Sequence, residues 1–435
     1  MSERYRTFAN TVAGRALVTR LGLPDPARPR GQQPGEPAIA GPVRLGGGDR
    51  LRAVAADILA GTGVTTAEAG EVAALVYDGT GLREPADLRG LFDFFRPAMG
   101  PLRPYARIVV LGTPPAECRT PAEAAAQQAL AGFVASVGAE FGRGITGQVV
   151  YSSTGAEDLL ESTLRFLLST RSAGLSGQAV HIGQTGPPPA VDWSRPLAGQ
   201  IALVTGAGGG IGAAIATVLA RDGAGVVCVD RPGTTDELAG TVGGTAVGVD
   251  LAAATAPRRI ADALRDGVDI IVHSGWTGSD EALAELTAHG WDAAVAANLA
   301  GPERVNAVLL GEKILRTGGR IVAVSPVPGP AGPRGRAGYA TTEAGRRGQV
   351  HAQARTLAKH SITANAVTVD VVETPLTTSV PVIRREIARR LSGDGLAVDI
   401  GETVAWLACP ASGGVTGNSI AVRGHRPGQP PSWPR

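Results

Sequence analysis

The chain has almost no lysine: among 41 lysines and arginines, only Lys313 and Lys359 are lysines. With abundant alanine and 61 glycines, this reads as the codon bias of a GC-rich genome and not as a surface built for a ligand. Cysteine is scarce too. Cys118, Cys228 and Cys409 lie far apart, which excludes both a metal-ligand spacing and a disulfide framework and suits a reducing compartment. Long apolar runs are missing: no stretch of about 18 apolar residues occurs, and no apolar segment of the export type follows Met1 to Arg6. Excess charge of one sign is missing as well, because a net charge of +2 gives no reason to expect nucleic acid or an anionic membrane as partner. What is present, 43% hydrophobic and 18% charged residues, leads us to expect a soluble globular protein of the cytoplasm.

At 435 residues the chain exceeds one ordinary core, so two domains are expected. Residues 1–40 read as an N-terminal helical arm and loop, with Phe8, Val12, Leu17, Val18 and Leu21 at helical spacing. A first α/β domain is expected over 41–183 and a proline-rich linker over 184–198, where prolines and glycines continue neither strand nor helix. A second domain follows over 199–424, then a tail over 425–435. In the second domain short β-branched runs alternate with helical stretches. Ile201–Val204, Gly225–Asp230, Thr245–Val249, Asp269–His273 and Gly319–Val324 are the predicted strands. Such runs predict a Rossmann-like, doubly wound parallel sheet whose ligand crevice lies at the strand carboxyl ends.

The first domain reads as a worn copy of the second. Phe166 to Val180 aligns without gaps on Trp406 to Ile420, Arg107-Ile-Val-Val-Leu on Arg320-Ile-Val-Ala-Val, and Gly144-Ile-Thr146 on Ser361-Ile-Thr363. A repeat this long implies duplication. Where a phosphate loop is expected, the first copy has Gly46-Gly-Gly-Asp-Arg50. It is therefore expected to be a degenerate flavodoxin-like or Rossmann-like domain without a cofactor.

Thr205-Gly206-Ala-Gly-Gly-Gly210-Ile211-Gly212 lies between the predicted first strand and first helix of the second domain. Glycines there let the backbone turn tightly and approach a pyrophosphate held at the helix N-terminus. Asp230 ends the next strand, where a carboxylate accepts from ribose hydroxyls and repels a 2′-phosphate. This favours NAD(H) over NADP(H), against the adjacent Arg231.

These residues resemble the short-chain dehydrogenase/reductase superfamily. With the two-domain layout, the chain is similar to the high-molecular-weight 3-oxoacyl-acyl-carrier-protein reductases of actinobacteria. The resemblance runs through Tyr77 to Pro85, Ser162 to Leu168, Trp291 to Asn298, Gly338 to Thr342 and Val415 to Asn418. It implies reduction of a β-ketoacyl thioester by NAD(P)H, a carrier-protein-bound or CoA-bound acyl or polyketide chain as substrate, and an oligomer. It also implies that Asn298 is the helix-kinking active-site asparagine, Tyr339 the proton donor, and Thr374 a contact of the nicotinamide amide. Asp250 and Leu251, after the third strand, would lie at the adenine.

Four positions depart from the family pattern. The serine that polarises the carbonyl is Pro326, with Ser325 beside it expected to point to the opposite side of the strand. The lysine four residues after Tyr339 is Glu343, the Asn-Asn-Ala-Gly segment is His273-Ser-Gly-Trp276, and the Pro-Gly pair after the sixth strand is Val369-Asp370. A unit charge about 4 Å away is worth roughly 4 kcal/mol at an effective dielectric near 20, so the lysine would lower the tyrosine pKa by up to about 3 units. An ionised Glu343 would act in the opposite sense. Losing the serine donor removes a factor of about 10²–10³. Three readings follow: a non-reducing partner subunit of an intact reductase paralogue; an acid–base catalyst using His273, Tyr339, Glu343 and Asp370 for isomerisation, dehydration or cyclisation; and a weak NAD(P)H-dependent reductase.

Overall fold

The computed structural model describes residues 39, 41–183, 186–276, 283–327, 337–370 and 396–422. The N-terminal arm, Thr374 and the tail fall outside them. The chain divides into two compact units, with the boundary between Gln184 and Thr185.

The first unit alternates β1 (Val43–Gly47), α1 (Arg52–Gly61), β2 (Val72–Asp78), α2 (Arg89–Ala98), β3 (Leu102–Gly112), α3 (Pro121–Phe141), β4 (Thr146–Ser152), α4 (Leu160–Leu168) and β5 (Gln178–Ile182). All strands are parallel, in the order β1-β2-β3-β4-β5. Strands β2 and β4 are buried along their whole length, as expected for β-branched runs covered on both faces. One bridge, Val43 to Thr66, adds a parallel partner to β1 after the α1 crossover. Counted as a vestigial strand, it gives the order 2-1-3-4-5-6, the flavodoxin-like order with one further strand at the far edge.

In the second unit β6 (Ile201–Thr205), α5 (Gly210–Arg221), β7 (Gly225–Asp230), α6 (Asp236–Val242), β8 (Thr245–Gly248) and α7 (Ala256–Ala263) precede β9 (Val268–His273). Helix α8 (Ala288–Val295) then runs through a π turn, Ala296–Ala300, into α9 (Gly301–Gly311). Next come β10 (Leu315–Val327), α10 (Ala337–Leu357), β11 (Thr363–Asp370), α11 (Leu396–Ala408) and β12 (Ser419–Val422). The parallel order β12-β11-β10-β9-β6-β7-β8 reverses direction between β9 and β6, which puts the crevice outside those two strands. The core beneath joins Leu203, Val229, Ile271, Ile321 and Ala364 to Ile260, Val305, Leu309 and Val350 of the helices. Residues 186–200 carry neither helix nor strand.

The duplication extends to individual hydrogen bonds. Gln148 of β4 accepts from Gln178 N and donates to Leu175 O; Asn365 of β11 accepts from Asn418 N and donates to Val415 O. Arg107 clasps Ser169 O and Arg320 clasps Cys409 O, one strand residue closing the same turn in both units. The registers Arg107–Ala74 and Arg320–Ile270 then equate Asp78 with Ser274. The registers Val43–Ala74 and Ala202–Ile270 equate Gly47 with Gly206.

Candidate active site

The glycine loop sits at the switch point. Gly206 has φ +73°, and a Cβ on it would fall 2.2 Å from the backbone of Gly275, so the loops after β6 and β9 meet backbone to backbone. Gly212 leaves equally little room, because a Cβ there would lie 2.1 Å from Gly206 O. Helix α5 starts at Gly210-Ile211-Gly212 after Gly209, with no side chain capping its first turn. Asp230, at the end of β7, accepts from Gly208 N at 3.0 Å and Arg231 N at 2.7 Å, which fixes its carboxylate beside the loop. Asp250 is exposed and accepts from Ala252 N at 2.9 Å. Leu251 places Cδ1 3.8 Å from the position of a Gly275 Cβ. Gly206, Gly210, Ile211, Gly212, Asp230, Asp250 and Leu251 thus border one end of the crevice and could hold the adenosine diphosphate half of a dinucleotide.

The other end is built on α10, whose buried stripe runs Gly338, Tyr339, Thr342, Glu343, Arg346, Val350 and Ala354. Glu343 is wholly buried, and Ser325 donates to its Oε2. The expectation that Ser325 points away from the catalytic helix is therefore corrected. Burial pushes the Glu343 carboxyl up to about 7, with Arg346 and Arg347 pulling the other way. The ionised Glu343 weighed from the sequence is thus only partly populated at neutral pH.

Sequence reasoning missed Arg346. Its guanidinium is buried, donating from Nε to Asn298 O at 2.9 Å, from Nη1 to Val324 O at 2.8 Å and from Nη2 to Gly275 O at 2.7 Å. It ties together the ends of β9 and β10 and the π turn, and it lies 4.0 Å from Glu343 Oε1. Desolvation lowers its pKa, while the charges of Glu343 and Tyr339 raise it, so a cation does stand within electrostatic range of the phenol. A charged residue on a stripe otherwise leading to Val350 and Ala354 was the available signal.

Asn298 lies in the π turn, whose extra width frees its carbonyl for Arg346. Its amide donates to Thr342 Oγ1 at 3.2 Å, which fastens the kinked helix to the tyrosine helix. Tyr339 is 6% exposed, and its ring meets that of Trp276 edge-on at 5.5 Å. Trp276 is itself 52% exposed.

His273 is not in the crevice. Its side chain lies in the buried layer, with Nε2 2.9 Å from Asn306 Oδ1 on α9 and Nδ1 3.2 Å from Thr205 Oγ1. Donation from Nε2 to Asn306 leaves Nδ1 to accept from Thr205. Desolvation lowers its pKa to about 4, against the Asn306 hydrogen bond and with Arg346. It is a satisfied core histidine, because strand alternation turns it away from the loops. Asp370 closes β11 in register with Val327, and nothing of its side chain is described.

In the first unit a side chain occupies the equivalent of the phosphate loop. Asp78 Oδ2 accepts from Asp49 N at 2.9 Å, Leu51 N at 2.9 Å and Arg52 N at 2.8 Å, and Thr80 donates twice to Oδ1. A buried carboxylate there takes the place of an anion at the start of α1.

A dinucleotide fits the adenosine end of the second-unit crevice but not its nicotinamide end. The glycine cradle and Asp230 suit the former. For the latter, a hydride donor must come within about 3–3.5 Å of a carbonyl carbon whose oxygen reaches the tyrosine hydroxyl, and the Trp276 indole lies against that ring. Glu343 is enclosed and offers the cofactor sugar no cation.

The family profile described as enoyl-(acyl carrier protein) reductase matches residues 206–424. A short-chain reductase protein, NovJ, from Streptomyces niveus is 33% identical over 257 residues, covering 52% of this chain and 94% of its own length. The 3-oxoacyl-[acyl-carrier-protein] reductase FabG of Thermotoga maritima is 31% identical over 242 residues, covering 52% and 98%. The (3R)-3-hydroxyacyl-CoA dehydrogenase of Mus musculus is 31% identical over 250 residues, covering 52% and 96%. Among the described residues no helix is long and apolar enough to cross a membrane.

Proposed function

Since the chain belongs to the short-chain dehydrogenase/reductase superfamily and its relatives include 3-oxoacyl reductases, we propose that it is a ketoreductase-like subunit that does not itself transfer hydride. It works as the non-reducing partner of an intact reductase paralogue on carrier-bound or CoA-bound acyl or polyketide chains. The observation that carries this reading is the buried Ser325–Glu343 pair. It fills the position from which a cation would hold the cofactor sugar, and it turns the neighbouring serine inward. Arg346 does not replace that cation in the crevice, since Nε, Nη1 and Nη2 each donate to a backbone carbonyl. The first unit, with Asp78 on its loop amides, serves as a nucleotide-free scaffold. The acid–base reading draws little support from the placement of Glu343 and His273, both buried.

The test is co-expression with an intact 3-oxoacyl reductase, followed by an NADH-oxidation assay on acetoacetyl thioesters. Stable co-purification and no turnover by the isolated chain are expected. Brisk NADH oxidation by the chain alone, abolished by Tyr339→Phe, would overturn the proposal.

A further inference from the structure

Glu343 and Arg346 form a buried pair that stops one step short of contact. Ser325 donates to Glu343 Oε2, but Oε1 is buried and takes no hydrogen bond among the described residues. Arg346 Nη1 stands 4.0 Å from Oε1, beyond hydrogen-bond reach, because it donates instead to Val324 O at 2.8 Å. Its Nε serves Asn298 O at 2.9 Å and its Nη2 serves Gly275 O at 2.7 Å. The guanidinium is a rigid plane, so a shift of Nη1 toward the carboxylate carries the other two nitrogens with it. Gly275 directly precedes Trp276, and on its far side it is wedged against Gly206, where a Cβ would fall 2.2 Å away. The bond from Arg346 is thus a second restraint on the segment that sets the Trp276 indole edge-on to Tyr339 at 5.5 Å.

The charge of Glu343 decides which acceptor Arg346 serves. A neutral carboxyl competes poorly with three peptide carbonyls, whereas an ionised one in a dry site is the stronger acceptor. Burial brings that ionisation to about pH 7. Among the described residues, the charges acting on Glu343 are those of Arg346 and Arg347 on its own helix. Strand β10 presents Ser325 and the π turn presents Asn298, neither of which titrates, and His273 of β9 is neutral down to about pH 4. We infer that Glu343 is a pH-operated latch on the segment after β9. When neutral, it leaves Arg346 clamping Gly275, which keeps the Trp276 indole against Tyr339. When ionised, it draws Arg346 away from Gly275 O and Val324 O and frees the indole, opening the way to the tyrosine hydroxyl. The latch governs access to Tyr339 whatever reaction takes place there, so it stands apart from the non-reducing reading.

Tryptophan emission of the full chain, compared across pH with that of Trp276→Phe, isolates the indole, and the substitution is mild because Trp276 is 52% exposed. The Trp276 contribution is expected to change with a single midpoint near pH 7, and its quenching by acrylamide to rise through the same midpoint. Glu343→Gln is expected to abolish the change and to hold the emission at its acid value. Ser325→Ala keeps the carboxyl but removes a hydrogen bond to its ionised form, so the midpoint is expected to rise by about one unit. That second variant decides the matter if Glu343→Gln does not fold. A Trp276 signal that is flat through neutral pH, a transition that survives Glu343→Gln, or a midpoint that Ser325→Ala leaves in place would overturn the inference.

Discussion

Replacing Glu343 by glutamine isolates the effect of its burial. Glutamine keeps the shape and an acceptor for Ser325 but cannot ionise. The carboxyl has an ordinary value of 4.5 and is raised to about 7 in the fold. Between those values the folded chain holds a proton that the unfolded chain has released. Wild-type stability should therefore fall as pH rises from about 4.5 to about 7, and remain lower above that. The interval of about 2.5 units corresponds to at most about 3 kcal/mol, and Glu343→Gln removes this dependence. Relative to wild type, the variant should gain up to that amount between about pH 4.5 and pH 8. Urea unfolding followed by tryptophan fluorescence reads it cleanly. Trp193, Trp276, Trp291 and Trp406, four of the five tryptophans, lie in the second unit and none lies within 39–184, so the signal reports mainly on the second unit. A wild-type-to-variant difference that stays constant with pH, or that grows in favour of wild type as pH rises, would show Glu343 ionised and paired with Arg346. Either result refutes the reasoning.

His273 should remain neutral down to about pH 4, with the proton on Nε2; nitrogen-15 NMR of the labelled imidazole would show no titration near 6.5 if this holds. In the first unit, Asp78→Asn leaves one carbonyl oxygen for donors that now use two carboxylate oxygens. It should destabilise that unit by about 1–3 kcal/mol and speed amide exchange at 49–52, while exchange in the second unit stays as it was. Glu343→Lys would place two cations about 4 Å apart beside Arg346, costing up to roughly 4 kcal/mol. Combining it with Arg346→Leu should recover part of that loss in a thermal melt, and strict additivity would count against the coupling.

The strands were legible because each is a short β-branched run bounded by glycine or polar turns. Gly225–Asp230 was placed to the residue, and Asp269–His273 to within one. The duplication was legible from ungapped identities that later proved to hold the same amide clamps, Gln148 and Asn365. The side-chain geometry at the strand ends was not. His273 reads as a crevice residue in a linear sequence, but the register that sets it opposite Thr205 turns it toward Asn306, 33 residues away. Asp78 reads as the end of a strand, and only the fold brings it to amides 26–29 residues earlier. Arg346 was hidden for the same reason: its partners Gly275, Asn298 and Val324 come from three separate elements. Pattern reaches neighbours along one element, whereas buried polar pairing is decided by tertiary packing.

Arginine in this chain repeatedly closes backbone ends in place of ligands. Arg107 and Arg320 hold the turns after α4 and α11, and Arg346 holds three carbonyls under the crevice. A planar fork with five donors can satisfy several carbonyls from fixed positions, which a single ammonium on a flexible stem does less well. The cation that the family places four residues after the tyrosine stands here seven residues after it, about one turn further along the same stripe. That shift separates two tasks. The positive charge stays within range of Tyr339 and still supports the helix kink at Asn298, but it no longer faces the crevice, where a sugar would need it. Glu343 occupies the vacated position buried against Ser325, and that burial raises its carboxyl to about 7, so that it is only partly ionised at neutral pH. The buried pairs of Glu343 with Ser325 and of Arg346 with three backbone carbonyls thus tie the tyrosine helix to the ends of β9 and β10 and to the π turn, and this is why the fold stays well packed around Tyr339.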